Sequence, residues 1–135
     1  MTIDSSTAAI ARALLRIVLG FLMIEHGSMK LFAFPAMVPD VPYPVPLLLT
    51  VAGLLEFAFG LLLALGLFSR LAAFILSGEM ALAYFMVHAP LGFWPVLNGG
   101  ELAAVLSFSL LTLAAANPDP WSVDNLINLK SKPIM

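Results

Sequence analysis

The sequence predicts an all-α fold: an integral-membrane bundle of four helices in a single domain spanning residues 1–135. Three observations predict it. Hydrophobic residues make up 61% of the 135 positions and charged residues only 10%, with a mean hydropathy of +1.04. The apolar residues fall into four segments, and clusters of Pro, Gly and Asn separate them. Soluble domains carry roughly 25% charged residues and about 45–50% apolar ones. A soluble globule this small buries only about two-thirds of its unfolded surface, too little to hide this much apolar side chain. The composition therefore excludes an ordinary soluble domain and a disordered chain. A net charge of −2 gives no basic footprint for nucleic acid. The absence of Cys excludes disulfide frameworks, thiolate catalysis and Cys-ligated iron–sulfur clusters on this chain.

The first helix is expected over about residues 8–34, with its cleanest apolar stretch at 13–24. It does not read as a cleavable signal, because Asp4 precedes it, no Lys or Arg comes before Arg12, and Arg16 interrupts its core. Pro35, Pro39, Pro42, Pro44 and Pro46 then make a non-helical connection, since Pro removes an N–H and restricts its predecessor. The second helix, about 45–68, carries one charge, Glu56, and alone supplies the roughly 20 apolar residues that cross a bilayer core. Gly66–Ser69 and Arg70 make a tight turn into the third helix, about 70–89, which Glu79 interrupts. Pro90, Gly92, Pro95 and Asn98-Gly99-Gly100 form the next loop. The fourth helix covers about 99–116, and Asn117-Pro118-Asp119-Pro120 stops it before a polar tail at 117–135. Backbone satisfaction in lipid demands helices rather than open strands. Gly53, Gly60 and Gly66 are expected at helix contacts.

With four spans, both termini and the turn at Arg70 share one side. That side holds Arg12, Arg16, Arg70, Lys130 and Lys132, and the other holds only Lys30. The bias places the termini in the cytoplasm. Tyr43, Phe93 and Trp94 then fall at the outer interface and Trp121 at the inner one, where aromatic belts form.

Eight polar residues lie in or near the spans: Arg16, Glu25, His26, Lys30, Glu56, Glu79, His88 and Glu101. A charge at the bilayer centre costs about 2.5–3.5 kcal/mol on insertion scales, so such groups face a bundle interior and seek partners. At a rise of about 1.5 Å per residue, Glu56 lies roughly 15 Å from the outer face and Glu79 roughly 14 Å from the inner one. Glu25, His26, Lys30, His88 and Glu101 are expected in the outer half, with Glu56 below them and Glu79 continuing the column towards the cytoplasm. His26 and Lys30 are four apart and share a face, as do Tyr84 and His88. The same residues could instead be interhelical salt bridges that only fix packing. His26 and His88 could ligate a haem from two helices, but no attachment motif or third cue supports one. No metal-ligand spacing or nucleophile–base pair stands out.

Longer strings carry a resemblance. Arg16-Ile-Val-Leu-Gly20 followed by Glu25-His26-Gly27-Ser28-Met29-Lys30-Leu31-Phe32 resembles the first helix of the DoxX family. Gly53-Leu-Leu-Glu56-Phe57 through Leu65-Gly66-Leu67-Phe68-Ser69-Arg70 is similar to its second helix and turn. His88-Ala-Pro-Leu-Gly92-Phe93-Trp94 with Asn98-Gly99-Gly100-Glu101 resembles its third loop and fourth-helix start, and Ser122-Val123-Asp124 its closing Ser-Leu-Asp element. The likeness covers about residues 10–126. Two features depart from it: the Pro-rich first loop, and Asn117-Pro118-Asp119-Pro120 where the family more often has a Gly-Pro-Gly turn. Neither is expected to touch the buried polar set. The resemblance implies a multi-pass protein of the prokaryotic inner membrane whose named relatives are associated with redox complexes, including the membrane part of a thiosulfate:quinone oxidoreductase. Its motif includes His26, Lys30, Glu56, Arg70, His88 and Glu101.

The expected function is therefore a membrane subunit of an oxidoreductase system that binds a quinone in an outer-half pocket. His26 and Lys30 would donate to the ring oxygens, Glu56 or Glu101 would relay protons, and His88 would meet the second carbonyl, with Glu25 and Glu79 in support. Electrons would come from other membrane or peripheral redox subunits or another cofactor, and the chain could also form a homo-oligomer. The principal alternative is a non-catalytic anchor or assembly subunit. A proton-coupled carrier is a further reading, weakened by the lack of broken helices or inverted repeats.

Overall fold

The computed structural model describes residues 5–130. Among these residues every regular element is helical, and no strand forms. The helices are α1 (Ser5–Phe32), α2 (Leu47–Leu65), α3 (Ser69–Ala83), α4 (Pro95–Asn98), α5 (Glu101–Ala115) and α6 (Val123–Lys130). A π turn at Tyr84–His88 and a 3₁₀ turn at Ala89–Leu91 prolong α3. Three helices are long and apolar enough to cross a membrane: Ser5–Phe32, Leu47–Leu65 and the continuous Ser69–Leu91. The apolar α5 has 15 residues, which rise roughly 22 Å against a hydrocarbon core of roughly 30 Å. The four together are a membrane helical bundle. Lys132, counted above in the charge bias, lies outside the described residues.

Local chemistry sets the helix ends. Pro46 is the N-cap of α2, so α2 starts after the first loop rather than within it. Gly66 ends α2 in the left-handed conformation, φ 72°, and its N–H bonds the Leu62 and Leu63 carbonyls. That conformation strains any residue with a Cβ. The helix therefore stops at Leu65, three residues before the expected end. Pro90 lacks an N–H, and the backbone approaches it through wider and then tighter turns instead of a regular helix end.

Two antiparallel hairpins build the bundle. In the first, α1 and α2 approach closely along glycines seven residues apart on each helix: Gly20 and Gly27 against Gly53 and Gly60. A Cβ at Gly27 would sit 2.6 Å from the Phe57 nitrogen, and one at Gly20 2.6 Å from the Ala64 nitrogen. Lipid tails are as apolar as leucine, so such backbone approach, rather than hydrophobicity, holds membrane helices together. In the second hairpin, Ser77 and Ser107 exchange bonds: the Ser77 hydroxyl donates to the Ser107 carbonyl at 2.8 Å, and the Ser107 hydroxyl donates to the Ser77 carbonyl at 3.0 Å. The hairpins meet over a core that includes Leu19, Met23, Leu63, Leu76, Leu106 and Leu110. Leu14, Val18, Phe21, Phe74 and Phe108 face outward, as lipid contact requires.

The segment after α5 is not simply a polar tail. It folds back under the bundle: Asp119 and Ser122 are buried, and α6 follows.

Candidate functional site

Two polar assemblies sit inside this apolar frame. The first lies at mid-depth. Glu56 is the tenth of the 19 residues of α2, and Glu79 is the eleventh of the 23 in the span Ser69–Leu91. Lys30, in the last turn of α1, sends its flexible stem to Glu56. The Lys30 Nζ donates to Glu56 Oε1 at 2.7 Å and Oε2 at 2.5 Å. The pair is buried, with Lys30 at 13% and Glu56 at 3% side-chain exposure. An ammonium has three N–H donors, and Glu56 takes two. Glu79 differs: both its carboxyl oxygens are buried and without a hydrogen-bond partner among the described residues.

Lys30, Glu56 and Glu79 line one cavity of about 210 Å³ between α2 and α3 with its extension. Its walls are apolar and include Leu48, Val51, Leu82, Met86 and Val87. Those five side chains are also exposed on the outer surface, so the cavity opens sideways towards lipid. The π turn brings Met86 and Val87 to the rim; single-turn π segments are frequent at functional sites.

The other expected site residues lie elsewhere. The His26 ring bonds the Leu22 carbonyl of its own helix through Nδ1 at 2.8 Å, and His26 does not line the cavity. His88 Nδ1 meets the Asn98 carbonyl at 3.1 Å, and its ring lies 6.4 Å from that of Tyr84. Asn98 is buried and binds the Gly92 carbonyl and the Gly100 N–H, tying the α3 extension to the start of α5. Glu101 is exposed in the first turn of α5, where the helix dipole favours an anion. Glu25 is exposed on α1. The structure thus joins Lys30, Glu56 and Glu79, and separates them from Glu25, His26, His88 and Glu101. Glu79 sits beside Glu56 and not further along a column.

The second assembly lies at the end where α1 begins and α2 stops. Arg16 is buried, and its Nε donates to Asp119 Oδ2 at 2.6 Å. Its Nη1 donates to the Leu63 and Ala64 carbonyls at the end of α2, and its Nη2 to Asp119 Oδ1 and the Trp121 carbonyl. The departure at 117–120 therefore does reach the buried polar set: it supplies the counter-ion of Arg16. Asp124 completes the join. Its carboxylate accepts from the Phe68 and Ser69 N–H groups and the Ser69 hydroxyl, all within 2.8 Å, so α6 caps α3 from a distant part of the chain. Burial opposes ionisation of Asp124, but these bonds and the nearby Arg16 outweigh it and hold the carboxyl below its ordinary pKa.

Sequence reasoning missed Asp119, Asn98 and the two serines. One signal pointed to Asp119: a buried Arg needs an acid at its own depth, and few acids lie at that end. Nothing in the sequence marked Ser77 or Ser107.

These features define a small helical membrane protein with charge pairs set inside its bundle. The DoxX family model matches residues 11–89, and the chain belongs to the DoxX family. It is 45% identical over 118 residues to a protein of Haemophilus influenzae described as uncharacterized, a match covering 84% of this chain and 87% of that one. No solved structure matches.

Proposed function

We propose that this chain is a membrane subunit of an oxidoreductase system in the prokaryotic inner membrane, and that it takes a quinone through the cleft between α2 and α3 with its extension. The observation that carries this reading is the cavity that opens on the lipid face and ends on Lys30, Glu56 and Glu79. Its apolar walls suit an isoprenoid tail, and few polar groups converge at its floor, as small-molecule sites require. The remaining N–H of Lys30 can donate to a ring oxygen. Glu79, with no protein partner among the described residues, can give or take a proton beside it. A bound quinone would supply the electron-accepting group; the chain's own residues hold the ring, exclude water and carry the proton. Electrons come from a partner subunit or a second cofactor, since the chain has no Cys.

Titration of a short-chain quinone into the protein in lipid nanodiscs tests this. Saturable binding is expected, weakened by about tenfold, or 1.4 kcal/mol, in Glu79→Gln and Lys30→Gln. The variant His26→Ala is expected to bind like the parent. Binding that is absent, or indifferent to both cavity substitutions, would overturn the reading. Recovery of a larger complex with no quinone would favour an anchoring subunit instead.

A further inference from the structure

At the end where α1 begins, the described residues hold more cation than their acids neutralise. Arg12, Arg16, Arg70 and Asp119 line one small void of about 10 Å³, which is room for about one water. Arg16 is fully engaged by Asp119 and three carbonyls. Arg12 is not: its Nε is buried and unpartnered among the described residues, and none of its nitrogens bonds any of them. Arg70 spends only its Nε, on the Ala114 carbonyl at 3.1 Å, which leaves its terminal nitrogens to the surface. Among the described residues Asp124 is the other carboxylate nearby, and Ser69 and Phe68 occupy it. Three guanidiniums thus face two satisfied carboxylates, with two forks left open.

We propose that Arg12 and Arg70 together bind the phosphate of an anionic phospholipid headgroup at the mouth of this void. A guanidinium fork matches phosphate oxygens two at a time and keeps its charge in any environment. Depth agrees. Arg12 is the eighth residue of α1 and Arg70 the second of α3, so both stand near the helix ends, at headgroup level. Basic pockets between membrane helices at that level hold anionic lipids. The surroundings agree as well: Leu14, Leu15, Phe68 and Leu71 are exposed apolar side chains on the same stretches of α1 and α3, positioned for acyl chains. Arg70 and Asn117 also border a wider groove of about 600 Å³ beside α6, which gives a headgroup space beyond the phosphate.

Native mass spectrometry of the detergent-solubilised full chain tests the proposal, with thermal melting as a second readout. Phosphatidylglycerol is expected to remain bound and raise the melting temperature, and phosphatidylcholine to do neither. Arg12→Gln and Arg70→Gln are each expected to weaken retention by about tenfold. Arg70 is exposed, so Arg70→Gln remains readable if Arg12→Gln folds poorly. Equal retention of both lipids, or retention unchanged in Arg70→Gln, would overturn it. Inorganic phosphate alone reproducing the thermal shift would also overturn it, and would make the ligand a soluble phosphate compound.

Discussion

Lys30 and Glu56 illustrate why a buried ion pair must be judged by what happens when half of it is removed. The two charges together cost desolvation that their attraction repays only with good geometry, and deleting one partner strands the other at a cost of about 3–5 kcal/mol. Lys30→Met is therefore expected to lower the melting temperature sharply in detergent, while the double variant Lys30→Met/Glu56→Met recovers most of the loss. A double variant no better than either single one would contradict this account. Asp124 gives a residue-level prediction with a definite sign. Its folded pKa lies below the unfolded value of about 3.9. The capping stability is therefore present above that pH and fades as the pH falls through the folded pKa. Asp124→Ala should cost about 1 kcal/mol near neutrality, and the gap between parent and variant should narrow below about pH 4. Thermal melts at several pH values would show it. Of these residues, the sequence exposed Lys30, Glu56 and Glu79 plainly, because a charge among leucines is conspicuous. It could not expose their association, which depends on which helix faces turn together.

At the level of elements, the four apolar segments and their Pro and Gly boundaries were legible to within a few residues. Hydrophobic runs and backbone breakers are local signals, so this is unsurprising. Helix pairing was less legible. Gly53 and Gly60 were read as contacts, but the matching Gly20 and Gly27 reveal their purpose only when α1 and α2 lie antiparallel. Gly27→Val is expected to disrupt that hairpin, since the Phe57 backbone cannot move aside as a side chain can. Gly78→Ala meets open space and should leave folding intact; circular dichroism and detergent melts separate the two. The Ser77–Ser107 exchange predicts a smaller effect. Interhelical bonds of this kind in membranes average about 0.6 kcal/mol each, so Ser77→Ala should destabilise only slightly, with Ser107→Ala adding a similar amount, because each hydroxyl bonds the other residue's backbone carbonyl. The π turn at Tyr84–His88 had no sequence signal beyond Pro90.

For the whole molecule, the fold class followed from composition and from the division into four apolar segments, whereas the role of the last segment did not. Residues 117–135 read as a polar tail, yet within them Asp119 meets Arg16 and Asp124 meets the α3 N-terminus. Sequence periodicity cannot see a link between positions 103 residues apart. Asp119→Asn should therefore lower stability by about 3–5 kcal/mol, as the loss of one partner of a buried pair, although residue 119 lies outside every span. A melt within about 1 kcal/mol of the parent would refute that role. The same link has a consequence for how the protein is made. Ribosomes add about 5–20 residues per second. Arg16 is thus made roughly 5–20 seconds before its counter-ion exists, and α3 waits for its cap until residue 124 is added. Until residue 119 is added the nascent chain holds Arg16 without its counter-ion, so a chain that stops before that position is expected to be less stable than one that includes it.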